Sequence, residues 1–177
     1  KCLLYPPLLL ILTLILGFSV GCRFGSSGFH ITPSESFVAI TDIHFTPFYD
    51  PELFDALVRA EADDWAAIFS SSSIKGLPTW GQETNFPLLV NTLDAAGYAV
   101  NNDPFVLFLG DILAHKFREQ FFALSGSENE EALRTFVFKT VRFIMLQFRN
   151  RFDSAPVFFV LGNNDSYAGD YSLVAGG

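Results

Sequence analysis

Residues 105–117 have the sequence FVLFLGDILAHKF, in which five apolar residues are followed by an abrupt change of character. A short apolar run without polar alternation is typical of a strand that is buried on both faces of a parallel sheet. Gly110 ends the run, Asp111 follows at once, and His115 comes four residues later. Open α/β sheets bind their ligands at the carboxyl ends of the strands. We therefore expect Asp111 and His115 to lie in a ligand-binding crevice.

Two other stretches repeat this pattern of an apolar strand that ends in polar side chains. FVAIT at 37–41 precedes Asp42 and His44, and VFFVL at 157–161 precedes GNND at 162–165. On an extended backbone Asp42 and His44 would project from the same face, since they are two positions apart. The alternative is a turn with an exposed Asp and a structural His. Carboxylate, amide and imidazole groups at one sheet edge favour a metal site.

The three motifs D-x-H, G-D and G-N-N-D occur in this order, and each follows an apolar strand. Together they resemble the motifs of the metallophosphoesterases, the calcineurin-like phosphoesterase family. The resemblance covers residues 36 to about 167. It implies an α/β fold, a β-sheet sandwich flanked by helices, of which only the N-terminal half would be present. The segment FTPFYD at 45–50, and the spacing of His115 after Asp111, are similar to the acid sphingomyelinase-like and endopolyphosphatase-like branch.

The resemblance implies a centre of two divalent metal ions, such as Zn, Mn or Fe, with a bridging hydroxide that attacks phosphorus. Asp42 and His44 would bind the first ion, Asp111 would bridge both ions, and Asn163 would bind the second. The family completes the second ion with a later His and a G-H-x-H motif. Neither occurs here, since the only histidines are His30, His44 and His115. We therefore expect a C-terminally truncated domain that is inactive alone.

The residue that protonates the leaving group is a separate question. In much of the family a His follows the metal-binding Asn, and Asn164 holds that place here. An amide can donate a hydrogen bond to a phosphoryl oxygen, but it does not transfer a proton near pH 7. The resemblance therefore favours His115 as general acid, with Asn164 as a second catalytic residue. The alternative for His115 is an exposed position without a role, and Asp165 would either orient Asn164 or cap a turn.

The N-terminal segment predicts export. Residues 8–20 are almost entirely apolar, which suits a signal peptide and is too short for a membrane-spanning helix. We therefore predict a signal peptide at 1–22, a Gly/Ser-rich tether at 23–35, and the N-terminal part of the phosphoesterase domain at 36–177. The domain would be extracellular or periplasmic.

The segment SVGC at 19–22 resembles a bacterial lipobox, although Ser19 replaces the usual Leu. One alternative is a lipoprotein attached to the membrane through a lipidated Cys22. The other is an ordinary signal peptide with an incidental Cys. Since Cys2 is the only other cysteine, the mature body can contain no internal disulfide.

Composition limits the partners. The 177 residues are 50% hydrophobic, include 21 Phe and carry a net charge of −8 without any Lys/Arg-rich run. This charge argues against a nucleic-acid partner. An acidic protein that acts on anionic phosphates needs local positive charge, which bound metal ions supply. The expected substrate is a phosphate ester, most similar to that of acid sphingomyelinase, a phosphodiesterase. Alternatives are an endopolyphosphatase-like hydrolase or a lipid-anchored binding protein without catalysis.

Helical patterns fill the segments between the three strands. They cover residues 50–69, 87–98, 116–125 and 133–150. Strands that alternate with helices imply crossover connections and a mainly parallel sheet. The turn-rich segment between the first two helical patterns carries Trp80 and would be either a lid over the substrate or a connector with Trp80 packed inward.

Overall fold

The computed structural model describes residues 37–99, 105–153 and 155–168, and its centre is a three-stranded parallel sheet. The strands are β1 (Val38–Ile40), β2 (Val106–Phe108) and β3 (Val157–Phe159), in the order β1-β2-β3. The predicted parallel sheet with crossover connections is thus confirmed. The predicted signal peptide, Cys22 and the whole of the tether lie outside the described residues.

The described part of the first crossover contains three α-helices. These are α1 (Phe54–Arg59), α2 (Trp65–Ser71) and α3 (Phe86–Ala99). The first helical pattern starts at residue 50 as predicted, because the Asp50 side chain accepts a hydrogen bond from the Glu52 N–H and Pro51 opens a 3-10 turn that leads into α1. The helical pattern over 50–69 is divided in two, since the backbone at Ala60 is extended, with ψ 157°.

The second crossover contains α4 (Phe117–Ser125) and α5 (Glu130–Arg151). Asn129 begins α5, because its side chain accepts a hydrogen bond from the Ala132 N–H. α5 presents Phe148 to the sheet, with ring centroids 5.2 Å from Phe108 and 5.4 Å from Phe159. The apolar face of α5 is therefore part of the core.

A cluster of buried aromatic side chains fills the space between the helices and the sheet. Trp65 is fully buried, and its ring centroid lies 5.1 Å from Phe136 and 5.7 Å from Phe143. Its indole N–H donates to the Leu57 carbonyl oxygen at 3.1 Å, so burial leaves no indole donor unpaired. The cluster explains much of the high Phe content, and it fixes the sheet whose carboxyl ends carry the candidate site.

The two faces of the sheet differ. Val106 and Phe108 face the helices and are fully buried, whereas Phe37, Leu109 and Phe158 on the opposite face are 52%, 49% and 56% exposed. The prediction of strands buried on both faces is therefore wrong for the described residues, because their helices pack on the other face. The described residues contain one sheet, so the second sheet of the sandwich remains a prediction.

No described helix is both long and apolar enough to cross a membrane.

Candidate metal centre

The loops that follow β1 and β2 run side by side at the carboxyl end of the sheet. Backbone hydrogen bonds continue past the strands, from Asp42 N to the Gly110 oxygen at 3.1 Å and from His44 N to the Asp111 oxygen at 2.9 Å. The backbone of the loop after β1 is thus hydrogen-bonded to the backbone of the loop after β2. Asp42, His44 and Asp111 are brought to one edge of the sheet, as the sequence predicts.

The backbone of this edge is strained. Asp42, His44 and Asp111 have φ values of 54°, 45° and 58°, in the left-handed region that L-residues with a Cβ rarely occupy. The prediction that Asp42 and His44 project from an extended backbone is therefore wrong. The tight turns nevertheless bring their side chains together, with His44 Nε2 3.7 Å from an Asp42 carboxylate oxygen. Strain of this kind concentrates at functional sites.

Asp42, His44 and Asp111 form a group that could hold a metal ion, because one ligand atom from each lies within 4.8 Å of the others. His44 Nδ1 lies 3.2 Å from the Leu113 carbonyl oxygen. A proton on Nδ1 would make this a hydrogen bond and leave Nε2 as the ligand atom, the usual arrangement of metal-binding imidazoles. The Asp42 side chain is 57% exposed and that of His44 is 19% exposed, so the group is open to solvent on one side.

The loop after β3 meets the Asp111 carboxylate. The Asn164 backbone N–H donates to Asp111 Oδ1 at 3.0 Å. Asn163 and Asn164 lie in a 3-10 turn (Asn163–Asp165), where Asn163 is exposed and Asn164 is 8% exposed. Asn163 is therefore in the loop next to Asp111, and Asn164 is directed into the protein.

His115 contacts both the metal-ligand group and a residue that the sequence analysis missed. Its ring stacks on the His44 ring, with centroids 4.4 Å apart and an interplanar angle of 19°. Its Nδ1 lies 2.8 Å from Glu83 Oε1. His44, Glu83 and His115 form a second group whose ligand atoms lie within 4.8 Å of one another. Glu83 is 32 residues from His115 in sequence, and no local pattern marks it.

Glu83 reaches the site because its loop pairs with the loop after β1. Thr46 N donates to the Thr84 oxygen at 2.9 Å, and Thr84 N donates to the His44 oxygen at 3.0 Å. Trp80, earlier in the same loop, is fully exposed. The alternative in which Trp80 packs inward is therefore wrong, and its role as part of a lid remains a prediction.

A cavity of about 280 Å³ adjoins the site. His115, Lys116, Asn164 and Tyr167 are among its lining residues. Arg118 also lines it, but it is paired with Glu130, and that pairing raises the pKa of Arg118 and lowers the pKa of Glu130. A larger cavity of about 740 Å³ lies between α5 and β3 and contains none of the candidate ligands.

Two glycines allow the loops after β2 and β3 to touch. A Cβ built on Gly110 would lie closer than 3.0 Å to the backbone of Leu161 and Gly162. A Cβ on Gly162 would lie closer than 3.0 Å to the Asp111 backbone and carboxylate. The close approach of the two loops therefore requires glycine at both positions.

Gly162→Ala is expected to displace Asp111 and weaken metal binding. The added methyl group overlaps the Asp111 carboxylate, and such overpacking costs about 1–3 kcal/mol. Thermal unfolding and calorimetric titration with Mn²⁺ test both effects. Gly76→Ala is the control, because a Cβ at Gly76 would have nothing within 4 Å. Wild-type Tm and Mn²⁺ affinity in Gly162→Ala would contradict the described contact.

Comparison with known proteins agrees with this arrangement. The family model for calcineurin-like phosphoesterases matches residues 36–176, which include all three strands and every candidate ligand. No curated protein matches the chain. The matched region is most of the 177 residues. The chain therefore belongs to the calcineurin-like phosphoesterase family.

Proposed function

We propose that this chain acts as a phosphodiesterase resembling acid sphingomyelinase, with Asp42, His44 and Asp111 holding a divalent metal ion. Membership of the family implies metal-dependent hydrolysis of phosphoric esters. The observation that carries the residue assignment is the grouping of these three ligand atoms within 4.8 Å of one another. The left-handed backbone at all three residues supports it, since strained backbone of this kind clusters at functional sites.

The donor set fits a transition metal such as Zn, Mn or Fe, because it combines carboxylate oxygens with an imidazole nitrogen. When bound, such an ion polarises a phosphoryl oxygen and lowers the pKa of water to near neutrality. Asp111 has a second oxygen available for a second ion, to which Asn163 would add its amide oxygen. With His44 as the one imidazole in this set, the first position would bind metal more tightly than the second.

His115 is the proposed acid for the leaving group. Its Nδ1 lies 2.8 Å from the Glu83 carboxylate, so a proton there is held by Glu83. The proton on Nε2 of the doubly protonated ring is then the one that can pass to the leaving oxygen, and the ring becomes neutral. Stacking on His44 keeps the ring beside the metal ligands. Glu83 is a positioning residue in this scheme.

The cavity of about 280 Å³ is the proposed place for the part of the substrate attached to the phosphoryl group. His115 and Asn164 line it, so the acid and the cavity share an edge. Lys116 adds positive charge to the same lining. An acid beside a cavity suits the departure of a substituted alkoxide, which favours a phosphate ester over polyphosphate, whose leaving group is a phosphate.

Hydrolysis of bis(4-nitrophenyl) phosphate under increasing Mn²⁺ tests the proposal, with calorimetry to measure binding. One ion per chain is expected to bind first and a second only at higher concentration. Little turnover is expected while only the first position is filled, and any turnover should rise with occupancy of the second position and stop with EDTA. The comparison variant is Asp55→Asn, in the first turn of α1.

The outcomes separate three functions. Binding of the diester with both metal positions filled by Mn²⁺, and still without any turnover, would favour the non-catalytic binding protein. Faster cleavage of polyphosphate than of the diester would favour the endopolyphosphatase-like hydrolase. No binding of Mn²⁺ by the wild-type chain would contradict the proposed ligand set.

A further inference from the structure

The Asp165 carboxylate accepts hydrogen bonds from four backbone N–H groups. Oδ2 accepts from Asp111 at 2.9 Å and from Gly162 at 2.7 Å. Oδ1 accepts from Ile112 at 2.6 Å and from Leu113 at 3.1 Å. A carboxylate offers about four acceptor positions, so these donors saturate it. Asp165 therefore connects the loop after β2 with the loop after β3.

The N–H groups of residues 111–113 need the Asp165 carboxylate because β3 leaves the sheet before them. The last backbone hydrogen bond between β2 and β3 joins Val160 N to the Phe108 oxygen at 2.9 Å. After it the chain turns at Gly162 into the 3-10 turn. Among the described residues, no backbone carbonyl accepts a hydrogen bond from the N–H groups of residues 111–113, which extend β2. Ile112 and Leu113 are each 1% exposed, so unpaired N–H groups there would be costly. The Asp165 carboxylate replaces the missing carbonyl oxygens.

The same peptide units also hold the loop after β1. The Asp111 carbonyl accepts from His44 N at 2.9 Å, and the Ile112 carbonyl accepts from Phe45 N at 2.7 Å. Each of these two residues is thus hydrogen-bonded to Asp165 through its N–H and to the first loop through its carbonyl. A shift of the Asp165 carboxylate would move the backbone that places both His44 and Asp111.

A reciprocal contact closes the network. While Asp111 N donates to Asp165, the Asp111 carboxylate accepts from Asn164 N at 3.0 Å. Charge-assisted hydrogen bonds of this kind are stronger than neutral ones. They offset the left-handed backbone of Asp111, with φ 58°, which would otherwise relax.

We propose that Asp165 is a positioning residue for the metal centre, acting through the backbone of residues 111–113 rather than as a ligand. The proposal rests on the proposed function, in which Asp42, His44 and Asp111 hold the ion. Loss of an outer contact that orients a metal ligand typically lowers metal affinity or activity by about 10- to 100-fold. Asp165 would contribute in the same way from the backbone side.

Asp165→Asn tests this role, because an amide keeps the shape of the side chain but turns one acceptor into a donor that faces N–H groups. The amide proton signals of Asp111, Ile112 and Leu113 are expected to move upfield in the metal-free protein. The Kd for Mn²⁺ should rise roughly 10- to 100-fold. Turnover of bis(4-nitrophenyl) phosphate should fall, with partial recovery at saturating Mn²⁺.

Two controls separate positioning from a general loss of stability. Asp153→Asn changes an exposed Asp at the other end of β3 and should leave the signals and the Kd unchanged. Leu93→Ala removes a fully buried side chain of α3, so it should lower Tm while the folded protein keeps its Mn²⁺ affinity.

A folded Asp165→Asn protein with wild-type amide signals and wild-type Kd would overturn the proposal. If that variant does not fold, Asp165→Glu takes its place, since the extra methylene displaces the carboxylate from the four N–H groups. A wild-type Kd in Asp165→Glu would then count against positioning. If the wild-type chain binds no Mn²⁺, the proposed function fails, and the amide signals alone decide whether Asp165 places the loops.

Discussion

Asp111→Asn is expected to abolish paired metal binding and to lower kcat/KM by roughly a thousandfold, which corresponds to about 4 kcal/mol of transition-state stabilisation. The physical reason is the loss of the negative charge that would hold two cations close together. The variant should keep its fold, because an Asn oxygen can still accept the hydrogen bond that the Asn164 N–H donates to Asp111 Oδ1. Elemental analysis after gel filtration, together with the Mn²⁺ titration, measures the loss.

Two further variants sharpen this result. Asn163→Ala should weaken the second ion and leave the first, because Asn163 belongs only to the proposed second position. Asp63→Asn should change neither, since Asp63 is an exposed partner of Arg142 at 2.9 Å. An Asp111→Asn protein that still carries two metal ions and has normal activity would show that Asp111 does not bridge them.

His115→Ala is expected to keep its metal ions but to lose about 10²–10⁴-fold in rate on a diester with an alkoxide leaving group, the range typical of a positioned general acid. Departure of an alkoxide is slow without a proton donor. Bis(4-nitrophenyl) phosphate should be affected much less, because nitrophenolate leaves readily without protonation. The ratio of the two losses is the measurement.

Glu83→Gln provides the matched variant. It keeps His115 and removes the carboxylate that lies 2.8 Å from Nδ1. A smaller loss with the same dependence on the leaving group is expected, because the ring remains but its orientation is less fixed. Equal losses on both substrates in His115→Ala, with metal content unchanged, would mean that His115 binds phosphate and is not the acid.

Local patterns predicted the elements of the fold well. The three apolar runs became the three strands, and the Asp50-Pro51 start became a capped helix entry. These features depend on residues close together in sequence, so the sequence displays them directly. The outer face of the sheet was predicted wrongly, because an apolar run does not show which of its faces the helices cover.

The sequence predicted that Asp42, His44 and Asp111 would meet at one edge of the sheet, but not the contacts that place them. The left-handed turns at Asp42 and His44 depend on hydrogen bonds to Gly110 and Asp111, which are remote in sequence. Three of the four hydrogen bonds to Asp165, those from residues 111–113, span 52 to 54 residues of sequence. No local pattern encodes such distances, so the sequence offered only a turn cap or a partner for Asn164.

An anomalous difference map from crystals grown with Mn²⁺ tests the central claim most directly, namely that Asp42, His44 and Asp111 bind a metal ion. The expected result is a peak within coordination distance of His44 Nε2 and of one carboxylate oxygen each from Asp42 and Asp111. A weaker second peak beside Asp111 and Asn163 is expected at high Mn²⁺. A map with no peak at these three side chains, or with its main peak between Glu83 and His115, would contradict the account.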